Sequence, residues 1–303
     1  MDDILKIKGL TKTFGQTRAV DNVDMCIQRG DIYGFIGRNG AGKTTLIRIL
    51  LGLCERQSGD IELFGSSNLS EGRDKTGCII ENPALFPKMT ARDNIIAQSK
   101  AVGVKLSDSE IDDLLRVVGL ESTGKKKAKN FSLGMKQRLS IALALVGNPE
   151  FLVLDEPTNG LDPEGIRDIR NLILKLNKEK SITVLVSSHI LGELHKLATR
   201  YGVIDKGRLI KEFTAKELDE KTEDGFEIRV KEDDVQTTEE FLKESNVNYS
   251  LDSEKCKFTI SKEENSDDIL KQITAKGVIP TSYGFKNVDL EDYFMELIGG
   301  KHE

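Results

Sequence analysis

Residues 37–44 read GRNGAGKT, the pattern G-x-x-x-x-G-K-T. An apolar run, IYGFI, precedes it, and LIRILLGL follows at helical spacing. In such a strand–loop–helix setting the glycines let backbone N–H groups turn inward and cradle phosphate oxygens. The helix N-terminus adds its positive dipole end behind them. Lys43 then reaches the β/γ-phosphates and the Thr44 hydroxyl holds Mg²⁺. Gly37, Asn39, Gly40, Ala41, Gly42, Lys43, Thr44 and Thr45 are therefore the candidate nucleotide-binding residues. A glycine-rich turn that binds nothing uses the same letters, but not the flanking strand and helix.

Three further groups carry chemistry. LVLDE (152–156) is an apolar strand ending in two acids. Asp155 at the strand end suits Mg²⁺, directly or through water. Glu156, one position on, points differently and can polarise a water toward the γ-phosphate. Two adjacent acids also occur at plain strand ends. FSLGMKQ (131–137) precedes a long apolar helix, where Ser132 can cap the helix or, beside Gly134, meet phosphate. His189 ends the run SITVLVSSH, where α/β sheets place ligands, although a lone His is commonly structural.

The elements that position these groups follow from hydrophobic periodicity. ILKIKGLTKTF (4–14) and VDNVDMCIQ (20–28) alternate as antiparallel strands with one wet face. DIYGFIG, TGCIIE, FLVLDE and SITVLVSSH are buried runs of a parallel sheet, and GDIELFG (59–65) is a further hairpin strand. Residues 91–103, 107–120 and 130–148 carry helical spacing. In 162–180, Ile166, Ile169, Leu172, Ile173 and Leu176 form the stripe of a crossover helix with Pro163 in its first turn. YGVIDKGRLIKEF (201–213) is a hairpin turning at Lys206-Gly207. The acidic stretch 216–225 is a linker or a short exposed helix. Beyond it the order β-α-β-β-α-β, ferredoxin-like, leads into a terminal helix, DLEDYFMELI.

Composition narrows the class. The 303 residues are 31% charged and 38% hydrophobic, as in a globular protein. No apolar run approaches the roughly 18 residues that span a bilayer. MDDILKIKG is no signal peptide. A cytoplasmic protein is expected, whose membrane attachment comes through a partner. The net charge of −6 argues against nucleic acid as the main ligand, and GKKKAKN (124–130) is the only basic cluster. Four scattered cysteines, without C-x-x-C spacing, are expected as buried free thiols.

Taken together, these motifs resemble the ATP-binding subunits of ABC transporters. Over residues 1–215, Phe14 is similar to their adenine-stacking aromatic, GRNGAGKT to Walker A, and Glu81 stands at the Q-loop position. FSLGMKQ is similar to the LSGGQ motif, FLVLDE to Walker B, NGLD (159–162) to the D-loop, and His189 to the switch histidine. The resemblance implies an α/β fold: a P-loop, RecA-like cassette with an antiparallel β subdomain and an α-helical subdomain near 84–148. A small α+β unit, 216–303, would follow it. It implies ATP and Mg²⁺ as ligands, Glu156 and His189 as catalytic residues, and Thr44, Glu81 and Asp155 at the metal. It also implies a head-to-tail homodimer on ATP binding, with Ser132 and Gly134 completing the partner's site, and an integral membrane permease as the transport partner.

Two departures mark the chain. Leu133 and Met135 replace a Gly and the Gln of LSGGQ. Glu81 replaces the usual Gln; ionised, it only accepts hydrogen bonds, so it favours a cation and repels phosphate. With IIENPALFPKMTARDN (79–94) and the LEDYF-like terminal helix, Glu81 resembles the ATPases of bacitracin-resistance and lantibiotic-immunity exporters. ALFPKMT would then face the membrane subunit's coupling helix. A general drug or lipid exporter ATPase, and a soluble non-transport ABC ATPase, remain open on sequence.

Overall fold

The computed structural model describes residues 3–81, 84–222, 226–254, 256–260, 264–285 and 290–299. The chain divides into two units, Met1–Ala215 and Lys216–Glu303. Positions 82–83 of the 79–94 stretch and 223–225 of the acidic stretch lie outside the described residues.

In the first unit, β1 (Asp3–Phe14) and β2 (Thr17–Gln28) pair antiparallel, as their alternation predicts. β3 (Ile32–Ile36) is buried throughout and feeds α1 (Lys43–Leu50). β4 (Ser58–Leu63) is not a hairpin partner of its chain neighbour; it returns to the free edge of β1, giving the order β2-β1-β4. α2 (Leu69–Asp74) and β5 (Thr76–Ile79) follow. Next come α3 (Ala91–Ala101), α4 (Asp108–Val117) and α5 (Leu133–Ala144). Thr90 and Ser107 each form a reciprocal capping box with the acid three residues on, which fixes where α3 and α4 begin.

β6 (Phe151–Asp155), α6 (Pro163–Lys180) and β7 (Thr183–Ser188) form a parallel crossover unit. On α6, Ile169, Leu172, Ile173 and Leu176 are buried and Ile166 is half-buried. After α7 (Leu191–His195), β8 (Arg200–Asp205) and β9 (Arg208–Thr214) form the expected hairpin. Lys206 and Gly207 both take positive φ, 45° and 82°, the type I′ geometry that suits a two-residue hairpin. The second sheet has the order β5-β6-β7-β3-β8-β9, parallel except at β9. Apolar residues of α1, among them Leu46, Ile47 and Leu50, pack in one core with β1, β2 and β4 and with Phe35, Phe151, Val153 and Leu185 of the parallel sheet. α1 is thus clamped between two sheets.

The cysteine expectation needs correction. Cys26, Cys54 and Cys256 are half-buried and Cys78 is exposed. Cys78 lies on β5, the edge strand, where alternation turns it away from buried Gly77 and Ile79. Burial and the neighbouring Asp3 carboxylate push the Cys26 thiol up to about 11.

α8 (Ala215–Thr222) starts at the last residue of the first unit and runs into the second, so the acidic stretch is helical where described. Then come β10 (Phe226–Arg229), α9 (Val235–Glu244), β11 (Tyr249–Asp252), β12 (Lys257–Ile260), α10 (Ser266–Ala275), β13 (Ser282–Phe285) and α11 (Leu290–Gly299). The strand order is β11-β12-β10-β13, with every neighbour antiparallel. Phe226, Ile228, Phe241, Phe258, Ile260 and Ile273 make its own core.

Candidate functional site

The glycine loop is built by close approach. A Cβ on Gly37 would stand 2.5 Å from the Ile204 carbonyl oxygen. Gly42 has φ +113°, and a Cβ there would lie 2.2 Å from the Ala19 carbonyl oxygen. Gly42→Ala is expected to destabilise the protein by about 2–4 kcal/mol, since both backbone strain and a clash with rigid backbone oppose it. Urea denaturation checks this; an unchanged midpoint would refute it. Gly42 also serves as the N-cap of α1 and offers no side-chain acceptor to the first-turn N–H groups. Uncapped N–H groups at a helix start are a ready anion site.

Lys43 is 5% exposed on its side chain. A buried ammonium must be paired. Its Nζ donates to the Gly37 carbonyl at 2.5 Å and lies 3.1 Å from Glu156 Oε1. Asn39 and Gly40 are exposed, Ala41 is buried, and Thr44 and Thr45 are half-buried in the first turn. The Thr44 hydroxyl donates to Asp155 Oδ2 at 2.8 Å. Asp155, buried at the end of β6, accepts on Oδ1 from the Ser187 hydroxyl at 2.5 Å. A hydroxyl and a carboxylate are hard oxygen donors, which suits Mg²⁺.

Glu156 leaves the strand with φ +49°, and this turns its side chain from the line of the sheet. Its backbone N–H donates to Ser187 Oγ at 2.9 Å. Its Oε2 faces His189 Nδ1 at 2.9 Å. An ionised carboxylate only accepts, so Nδ1 carries the proton and Nε2 is left to face outward. Lys43, Glu156 and His189 therefore form one continuous chain of polar groups.

Glu81 follows β5 with φ +56° and pairs with Arg48 Nη2 at 2.7 Å. Thr44, Glu81, Asp155 and Glu156 line a cavity of about 300 Å³, with Leu133, Gln137 and Asn159. The loop, both strand-end acids, the histidine and Glu81 are thus brought to one place. Phe14 is 53% exposed at the tip of the β1–β2 hairpin, with Lys12 Nζ 5.1 Å from its ring centre. The start of β2 abuts the loop, where Ala19 O crowds Gly42, and the β8–β9 turn meets it from another side, where Gly207 N–H donates to Ala41 O at 2.9 Å.

Ser132 and Gly134 line a neighbouring cavity of about 450 Å³ with Gly160, Leu161 and Asp162, and Leu133 between them borders both cavities. Ser132 caps α5 by accepting from the Met135 N–H at 3.2 Å. A Cβ on Gly134 would meet nothing nearer than Leu161 at 4.0 Å, so the ground above it is open.

Sequence reasoning missed Ser187, Gln137 and Arg48, and also the Thr158–Glu193 hydrogen bond of 2.7 Å that links the segment after Glu156 to α7. Ser187 looked like one more strand residue. Only its register opposite Asp155 gives it a role, and a single strand carries no register.

The chain matches the family model for ABC transporters over residues 20–159. It is 40% identical over 306 residues to the bacitracin transport ATP-binding protein BcrA of Bacillus licheniformis, covering 99% of each chain. It is 44% identical over 209 residues to the lantibiotic transport ATP-binding protein SrtF of Streptococcus pyogenes, covering 69% of this chain and 90% of that one. The dimeric ATP-binding cassette MJ0796, bound to ADP and Pi, superposes with a TM-score of 0.62 at 27% identity, covering 70% of this chain and 98% of that one. With Thr44 and both strand-end acids on one cavity, and Lys43 and His189 held against Glu156, the chain belongs to the ABC transporter family as an ATP-binding cassette subunit.

Proposed function

We propose that this protein hydrolyses ATP to drive export of an antimicrobial peptide or drug of the bacitracin or lantibiotic type through a separate membrane permease. The Lys43–Glu156–His189 chain beside Thr44 and Asp155 carries the hydrolytic reading. Likeness to BcrA along 99% of both chains supports the choice of substrate class. The general drug or lipid exporter lacks that end-to-end support.

The loop N–H groups and Lys43 bind the phosphates, and Phe14 stacks on the base. Thr44 and Asp155 hold Mg²⁺, with Glu81 at its periphery; when bound, the ion neutralises phosphate charge. Ser187 fixes Asp155 and the Glu156 backbone together, so the two acids keep their separate directions. Glu156 accepts a proton from the attacking water. His189 orients Glu156 through Nδ1–H and presents Nε2 to the γ-phosphate.

Ser132 and Gly134 line a different cavity from Thr44, Asp155 and Glu156, and the open ground above Gly134 suits them to the site of a second copy. Two-fold pairing then gives two equal sites. Residues 1–215 act as the cassette and 216–303 as an accessory unit. Among the described residues no helix is long and apolar enough to cross a membrane. The protein works at the cytoplasmic face of the membrane through its permease and binds no nucleic acid.

A deletion strain tests the reading. It is expected to become sensitive to bacitracin or a lantibiotic, with resistance restored by the wild-type chain and not by Glu156→Gln. The chain is expected to co-purify with a multi-span membrane subunit. Unchanged resistance would overturn the substrate class; recovery with ribosomes would overturn transport.

A further inference from the structure

Thr44 and Arg48 stand one turn apart on α1, at the i, i+4 spacing that puts both on one face. Thr44 meets Asp155 within the cavity. Arg48 reaches across to Glu81, which lines that same cavity. Three carboxylates thus share a space of about 300 Å³. Each has its own compensation. Asp155 takes the hydroxyls of Thr44 and Ser187. Glu156 takes Lys43 and His189. Glu81 takes the Arg48 guanidinium.

The Arg48–Glu81 pair is half-exposed, at 46% and 59% of the two side chains. Such pairs contribute little to folding. The place of Glu81 on the cavity wall gives the pair another consequence. A nucleotide polyphosphate is anionic, and an uncompensated carboxylate beside it would repel it. A guanidinium at 2.7 Å cancels much of that field. The left-handed backbone at Glu81 fixes where the carboxylate can reach, and Arg48 selects one position within that reach.

We propose that Arg48 is a positioning residue that neutralises Glu81 and holds it at the cavity wall, so that a carboxylate is tolerated beside the phosphates of the bound nucleotide. The proposal rests on the ATP-binding reading above.

Equilibrium binding tests it. The full chain is titrated with a fluorescent methylanthraniloyl-ATP, once with Mg²⁺ and once with EDTA. Arg48→Gln is expected to raise the Kd in EDTA about 3–10-fold. With Mg²⁺ the rise is smaller, because the cation offsets the freed carboxylate. Arg48→Lys keeps the charge and stays within about twofold of wild type. In a Glu81→Gln background, Arg48→Gln changes neither Kd. An equal rise with and without Mg²⁺, or a rise that persists without the Glu81 charge, would make Arg48 a structural residue of α1 and overturn the proposal. Wild-type phosphate release in the same preparation separates the two ideas. Coupling without hydrolysis sinks the ATPase reading alone; hydrolysis without coupling sinks the Arg48 role alone.

Discussion

Glu156→Gln slows ATP hydrolysis by about 10²–10³-fold while ATP still binds. The substitution keeps the shape of the side chain and removes its basicity. The carboxylate now stands between Lys43 at 3.1 Å and His189 at 2.9 Å. Gln still offers a carbonyl oxygen to one of these donors. Its amide NH₂ must face the other, donor against donor. Only one of the two contacts survives in full. The loop and Lys43 are untouched, so the phosphate cradle remains. ATP that binds and is not hydrolysed should hold two copies together, each lending Ser132 and Gly134 to the other's nucleotide. Size-exclusion chromatography with multi-angle light scattering is the measurement. An ATP-dependent shift from monomer to dimer is expected for Glu156→Gln. A variant that stays monomeric in ATP would count against the shared site. One that keeps wild-type phosphate release would count against Glu156 as the base.

The sequence made the reacting groups legible because their chemistry is local. Gly37, Gly42, Lys43 and Thr44 announce themselves by spacing within eight residues. Asp155 and Glu156 stand at the end of an apolar run, which places them at a strand end without any knowledge of the sheet. The polar frame around them was not legible. Ser187 matters because it lies opposite Asp155 in a parallel pair, and β7 shows nothing of its partner strand. Arg48 matters because β5 ends beside α1, so that Glu81, 33 residues on, comes within 2.7 Å of it. The return of β4 to β1 is invisible for the same reason: the hydrophobic pattern of 59–65 fixes a strand and not its partner. In the second unit the order of strand and helix runs was readable, yet those elements carry no spacing that names a chemistry.

Lys43→Ala produces the opposite profile, a loss of binding. Lys43 Nζ is the one side-chain ammonium in the described loop, and charge-assisted hydrogen bonds contribute about 1.5–3 kcal/mol each. Losing one or two of them to the phosphates weakens ATP affinity by about 10²-fold. Binding of fluorescent ATP reports this directly, and affinity within threefold of wild type would rule out the assigned contact. The same change also touches stability. Lys43 is buried and Glu156 is 18% exposed on its side chain. Without the ammonium, the Gly37 carbonyl loses its Lys43 donor and Glu156 keeps His189 alone. That cost is about 1–3 kcal/mol. The double variant Lys43→Ala/Glu156→Gln separates the two effects. It removes the stranded charge together with its cation, so stability recovers toward wild type. Affinity for ATP does not recover, because the phosphate contact is still gone. Recovery of both, or of neither, would mean that Lys43 and Glu156 are not coupled as their 3.1 Å separation implies.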